Sequence, residues 1–253
     1  MTHRFIRRVL TGLAPVFIAA LLSGCDRVLL WGAHANEPLV VTASIAAGAN
    51  INAHDEFGLT PLEWAIKEKN NDIAKQLLDK GADIEATNNM KATALHIAAV
   101  TDNLPMAEDL IARGANLSAT SSEGWTALHF TVAKESDQIA ELLIAKGTGL
   151  NAQTVEGNTA LHLAAQGGRV RLARLLLAKG ASSDVMNRAG KTALQLAKEN
   201  GKIEIENLLR GSHDAQPFGQ PDLAHKAAQG RLLLAPAQVD ACCVRVRRAL
   251  ARW

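Results

Sequence analysis

The sequence predicts an all-α solenoid of paired short helices with projecting hairpin loops, and three observations carry that prediction. Thr60-Pro-Leu-Glu-Trp-Ala-Ile66 is followed by Thr93-Ala-Leu-His-Ile-Ala-Ala99, Thr126-Ala-Leu-His-Phe-Thr-Val132, Thr159-Ala-Leu-His-Leu-Ala-Ala165 and Thr192-Ala-Leu-Gln-Leu-Ala-Lys198, each starting 33 residues after the last. A second ladder, Gly48, Gly81, Gly114, Gly147 and Gly180, keeps the same interval, so two independent places in the unit agree on one period. Each period also holds two short helical patterns, for instance Thr93 to about Thr101 and Pro105 to Ala112, before Gly114 stops the second. Helices this short are unstable alone, so neighbouring units must bury their apolar sides together.

The chain opens on a different kind of element. Residues 1–24 carry Arg4, Arg7 and Arg8, then an apolar stretch from Val9 to Leu22, and end in Leu22-Ser23-Gly24 before Cys25. This reads as an export signal and processing site, and its apolar stretch is shorter than the roughly 20 residues of a spanning helix. Leu22-Ser23-Gly24-Cys25 resembles the lipobox of bacterial lipoproteins. That resemblance implies lipidation of Cys25, which becomes the mature N-terminus and anchors the protein by its acyl chains. Asp26 then implies retention at the inner membrane, on its periplasmic side. An ordinary cleaved signal peptide, with Cys25 incidental, is the alternative.

Residues 25–36 are read as an anchor junction and degenerate cap, with a helix over Arg27 to Ala35, and residues 37–210 as the repeat domain. Pro38 to Ala47, followed by Gly48-Ala-Asn50, matches the second half of a unit. Four well-marked units run from about Asn52 to Gly180, and a final one lies around Met186 to Arg210. The Thr that opens each first helix can satisfy exposed helix amides, and Pro61 loses nothing by lacking an N–H there. Leu95, Ile97 and Ala98 open one apolar side, and Leu110-Ile111, Leu142-Leu143 and Leu175-Leu176 supply another. The recurring glycines fit a helix stop at positive φ. Gly167-Gly168 is a turn between helices, since no preceding strand or GxGxxG pattern makes it a phosphate loop.

Residues 211–253 form a separate tail. Gly211, Pro217, Gly219 and Pro221 mark a linker, Leu223 to Leu234 predicts a cap helix, and Val244 to Trp253 is basic. Arg245, Arg247, Arg248 and Arg252 allow a membrane contact or a plain tail, and Cys242-Cys243 could be oxidised in an exported compartment.

The charge balance follows these boundaries. The 27 Lys and Arg against 25 Asp and Glu give +2; removing residues 1–24, with three basic groups and no acidic one, gives 24 − 25 = −1. Residues 25–210 hold 18 basic and 22 acidic groups, or −4, and residues 211–253 six and three, or +3. Basicity confined to removable or terminal pieces argues against nucleic acid as partner. Three cysteines cannot build a disulfide scaffold. No HExxH, CxxC or GxSxG motif selects a metal or a nucleophile, so neither a catalytic residue, a metal nor a cofactor is predicted.

The 33-residue unit resembles the ankyrin-repeat family over approximately Pro38 to Arg210. The resemblance implies a helix-turn-helix followed by a projecting finger, with partners meeting the finger tips and the outward parts of the first helices. The matching tips are His54 to Leu59, Thr87 to Ala92, Thr120 to Trp125, Gln153 to Asn158 and Met186 to Lys191. Lys91 stands where a turn glycine is usual, a departure that bears on the regularity of its finger. The protein-binding candidates are Phe57, Met90 and Trp125 as large apolar residues near polar tips, Glu123 and Glu156 as acidic ones, Asn158, and Lys134 on a first helix. Trp125 has a second reading, packing over the following helix, and Trp64 reads as core. Arg169, Arg171 and Arg174 read as a wet helix surface, with membrane headgroups as the alternative.

His96, His129 and His162 share one repeat position with Glu63 and Gln195. Variation between His, Glu and Gln fits a structural hydrogen bond better than metal ligation. The functional expectation is a lipid-anchored periplasmic binding module with no catalysis of its own. Its concrete form is an inhibitor or immunity protein covering a toxin or envelope enzyme, and the alternative is a structural scaffold for an envelope assembly.

Overall fold

A computed structural model describes residues 24–214. The signal segment, the linker, the predicted Leu223–Leu234 helix, Cys242-Cys243 and the basic end lie outside the described residues. Twelve helices, and among the described residues no strand, are arranged as six antiparallel pairs. They are α1 (Cys25–His34) with α2 (Pro38–Ala46), α3 (Pro61–Lys67) with α4 (Asn71–Asp79), and α5 (Ala94–Val100) with α6 (Leu104–Ala112). Then come α7 (Ala127–Lys134) with α8 (Asp137–Ala145), α9 (Ala160–Gly167) with α10 (Val170–Ala178), and α11 (Ala193–Glu199) with α12 (Ile203–Asp214). The predicted all-α repeat solenoid is therefore observed. None of these helices is long and apolar enough to cross a membrane.

From α3 onward each first helix begins where its threonine places it. The Thr60 hydroxyl accepts from the Glu63 amide at 3.2 Å while the Thr60 amide donates to Glu63 Oε2 at 2.8 Å. Thr192 and Gln195 repeat this reciprocal cap, which satisfies amides the helix itself cannot. The first five second helices stop at the predicted glycine ladder; Gly48, Gly81, Gly114 and Gly180 all sit at φ near 90°, where a side chain is strained.

The core is a continuous apolar stripe shared between units. Leu62 and Ile66 of α3, Leu95 and Ala98 of α5, Leu128 of α7 and Leu161 of α9 are buried from one side. Leu77, Leu110, Leu143 and Leu176 of the second helices close it from the other. Polar side chains stitch successive units: Asn103 Nδ2 reaches the Ile66 carbonyl and Asn71 Oδ1, and Ser136 Oγ donates to the Ala99 carbonyl.

The helix expected over Arg27 to Ala35 is present as α1, which starts two residues earlier, at Cys25, and packs Gly32 against Val40 and Val41 of α2. At the other end α12 continues through Gly211 to Asp214. A single glycine lowers helix stability by about 1 kcal/mol, which does not end a helix that is already packed through Ile205 and Leu209.

Candidate protein-binding surface

Five fingers connect successive pairs, and all are built alike. A short polar residue at the base caps the turn: Asp55 Oδ1 accepts from the amides of Phe57 and Leu59, both at 2.8 Å. Asn88 does the same for Met90 and Ala92, and Asn187 for Ala189 and Lys191. Ser121 and Thr154 use a hydroxyl to hold the Trp125 and Asn158 amides. The base amide then closes the turn onto the carbonyl four residues on, as Asn88 does to Ala92 at 3.1 Å.

The turn itself needs a left-handed residue. Gly58 supplies it at φ 76°, and a Cβ there would stand 2.6 Å from the Asn89 nitrogen of the next finger. Lys91 adopts the same conformation at φ 56°, so the third pair's finger keeps the regular hairpin despite its missing glycine.

Backbone hydrogen bonds then lock finger to finger. The amides of Asn89, Ser122, Val155 and Arg188 donate to the carbonyls of Phe57, Met90, Glu123 and Glu156, at 2.8 to 3.3 Å. The result is a tip row in one register: Phe57, Met90, Glu123, Glu156 and Ala189. Phe57 is 61% exposed, Glu123 is exposed, and Met90 and Glu156 are half-exposed. The row is apolar at its N-terminal end and acidic in its middle.

Two predicted contact residues are not on this surface. Trp125 is 4% exposed; its ring lies 5.0 Å from Phe130 and 6.1 Å from His129, so it packs under the finger. Its side chain follows the base-capping geometry inward, which settles the two readings in favour of packing. Asn158 is also buried: its amide bonds Thr154, and its Oδ1 accepts from Asn187 Nδ2 at 2.8 Å. It links two fingers and is not available to a partner. Lys134 lies half-buried in the last turn of α7.

Three residues that reach the surface were not singled out as contacts, although two of them lie within the tips Gln153 to Asn158 and Met186 to Lys191. Val155 and Met186 are exposed on the fourth and fifth fingers. Trp64, read as core, is half-exposed; its Nε1 donates to Asp55 Oδ2 at 2.7 Å and Lys67 Nζ lies 4.5 Å over its ring. Its register mates Ile97, Phe130 and Leu163 are buried. Indole is larger than any of them, and its N–H requires a partner. The tip register was the signal available in the sequence for Val155, since reading the fingers in parallel aligns it with Glu56 and Asn89.

The conserved-register histidines sit behind the surface and hold it. His96 Nδ1 accepts from the Thr93 amide at 3.1 Å, so Nε2 carries the hydrogen and donates to the Trp125 carbonyl at 3.0 Å. His129 and His162 bond Thr126 and Thr159 in the same way and reach the carbonyls of Asn158 and Lys191 in the next finger. Burial pushes His96 and His129 down to about 4, and lowers His162, because the charged ring loses its water. Glu63 fills this position with Oε2 on the Thr60 amide and Oε1 buried without a partner. Burial drives its carboxyl up to about 8, with the nearby Asp55 adding a little. Gln195 bonds only Thr192 and is exposed, since no described finger follows it.

Two of the three arginines at the start of α10 are engaged by the preceding unit. Arg169 pairs with Glu135, and Arg171 pairs with Glu141 at 2.7 Å. Among the described residues no group of three or more His, Cys, Asp or Glu could hold a metal.

A stack of hydrogen-bonded fingers on a helical solenoid defines the class, a helical-repeat protein with an extended surface. The family model described as Ankyrin repeats (3 copies) matches residues 29–121, 89–153, 105–187 and 128–220. These matches span more than half of the chain, and the protein belongs to the ankyrin-repeat family. Ankyrin repeats generally mediate protein–protein interaction and are typically non-catalytic. A search of the curated proteins finds no match.

Proposed function

We propose that this protein is a lipid-anchored binding protein of the bacterial periplasm, held at the inner membrane through Cys25, that inhibits a toxin or envelope enzyme by covering its active surface. The observation that carries the binding site is the tip row. Phe57 is 61% exposed on a turn that Asp55 and Gly58 already secure, so its ring serves no purpose in forming the finger. Met90 extends that apolar end, and Glu123 and Glu156 follow in the same register. A partner that fits the row presents an apolar knob beside a basic patch. Because the fingers are locked by backbone hydrogen bonds, little ordering entropy is lost on binding. The lipobox and Asp26 support the location.

The test is crosslinking in intact cells, recovery of the protein from membranes, and identification of what is bound. Phe57→Ala combined with Glu123→Lys should reduce capture at least tenfold while the helical circular dichroism is unchanged. A hydrolase or toxin among the captured proteins, losing activity on stoichiometric addition, supports inhibition. Capture of an assembly complex whose activity is unaffected assigns the scaffold role instead. Capture untouched by the double substitution rejects the tip row as the site.

A further inference from the structure

Both terminal pairs of a solenoid have one side that no neighbouring unit covers, and such sides are ordinarily polar so that the array stays soluble. Here the two ends differ. The α11–α12 pair exposes Lys198, Glu199, Glu204 and Arg210 around one large apolar side chain, Ile203 at 67%. The α1–α2 pair exposes Trp31 at 47% and Leu39 at 76%, with Ala43, Ala46 and Ala47 also exposed along α2. No Asp, Glu, Lys or Arg occurs between Glu37 and Asp55, in a chain that is 21% charged. Helix α2 is thus apolar on its outward face as well as its buried one, the pattern of a helix with something on both sides.

The sequence next to α1 points to an occupant for that face. The apolar stretch Val9 to Leu22 ends three residues before Cys25, and Cys25 is already the first residue of α1. No linker separates an anchor at Cys25 from folded structure. Helix α1 rises about 1.5 Å per residue, so Trp31 stands roughly 9 Å along the helix from the anchor. The Asp26 carboxylate accepts from the Asn50 amide at 2.6 Å, which ties the C-terminal end of α2 to the same point. His34 faces Glu68 of the second pair at 3.5 Å, away from the uncovered side. Arg27, one turn before Trp31, is exposed and is a cation suited to anionic headgroups. Tryptophan is the side chain most suited to the interface between water and acyl chains.

We propose that the uncovered face of the α1–α2 pair rests on the lipid bilayer, with Trp31 and Leu39 in the interfacial region. This rests on the anchoring at Cys25 proposed above and adds an orientation to it. The first unit becomes a foot that seats the solenoid on the membrane, and the fingers then project from a fixed base instead of a tether.

The experiment uses the full chain, recovered with its acyl groups and reconstituted in phosphatidylethanolamine–phosphatidylglycerol vesicles with brominated acyl chains. Trp31→Phe isolates the emission of that one indole by difference, and incorporation of labelled palmitate, compared with Cys25→Ala, reports the anchor. The expected result is that bromine quenches the Trp31 emission by at least half, and that Leu39→Asp with Ala43→Asp cuts this quenching severalfold without reducing palmitate or vesicle sedimentation. A palmitate-bearing chain whose Trp31 is unquenched overturns the orientation and leaves the anchor standing. A chain without palmitate overturns both. A dimer that Leu39→Asp dissociates, with Trp31 unquenched, assigns the face to a second copy and also overturns the proposal.

Discussion

Glu63 and the three histidines occupy one position and carry opposite pH dependences. The Glu63 carboxyl sits at about 8 in the fold against an ordinary 4.5. Its contribution to stability is therefore fully present below about pH 4.5 and is lost as pH rises toward 8. His96 and His129 sit at about 4 against 6.5, so their contribution is intact above pH 6.5 and lost as pH falls toward 4. Only Glu63 titrates from pH 6.5 to 8 within this group. Glu63→Gln, which keeps the acceptor for the Thr60 amide and stays neutral, should therefore stabilise the protein by about 1–3 kcal/mol at pH 8 and by little at pH 5. Thermal melts at the two pH values measure it, and an equal effect at both would show that ionisation of Glu63 is not the cause. The polar role of this position was legible from the alternation of His, Glu and Gln. The direction of each bond was not, because the acceptor is a backbone carbonyl 29 residues away, at Trp125 for His96.

The finger is an element in which turn chemistry and close approach act separately. Lys91 bears a left-handed conformation that costs an ordinary residue about 1 kcal/mol, and Lys91→Gly should raise stability by roughly 0.5 kcal/mol after the gain in unfolded-state entropy is subtracted. Gly58→Ala should lower it by more than 1 kcal/mol, since its Cβ meets the Asn89 backbone as well as an unfavourable φ. Urea unfolding of both variants tests the pair, and destabilisation by Lys91→Gly would contradict the strain. The existence and spacing of the fingers were readable from the 33-residue register. Which way each side chain left the finger was not. Trp125 and Phe57 occupy different finger positions; Trp125 shares its register with the buried Leu59 and Ala92 and turns inward beside His129 and Phe130.

Across the whole molecule, units communicate with their neighbours alone, so the same kind of substitution should have different reach at different places. Leu143→Ala removes a fully buried side chain from the middle of the array and should lower global stability by about 2–5 kcal/mol. Leu196→Ala, half-buried in the last unit, should speed amide exchange in α11 and α12 and leave α5 to α8 unaltered. Exchange accelerated over the entire array by Leu196→Ala would show that the units do not behave as nearest neighbours.

The sequence by itself determined the period, the caps, the stops and the fold class, because Thr at a helix start, Gly at a helix end and an apolar pair between them act within a few residues of one another. Tertiary structure alone decided the contents of the surface. Trp64 and Trp125 exchange the roles their neighbours in sequence suggest, Asn158 becomes a link between fingers, and Arg169 and Arg171 are neutralised by the preceding unit. It also showed that α1 begins at Cys25 and leaves an apolar face beside it. The physical reason is the same throughout: exposure at any repeat position depends on the volume and hydrogen-bonding of residues about 33 positions away, and on whether a next unit exists to cover it.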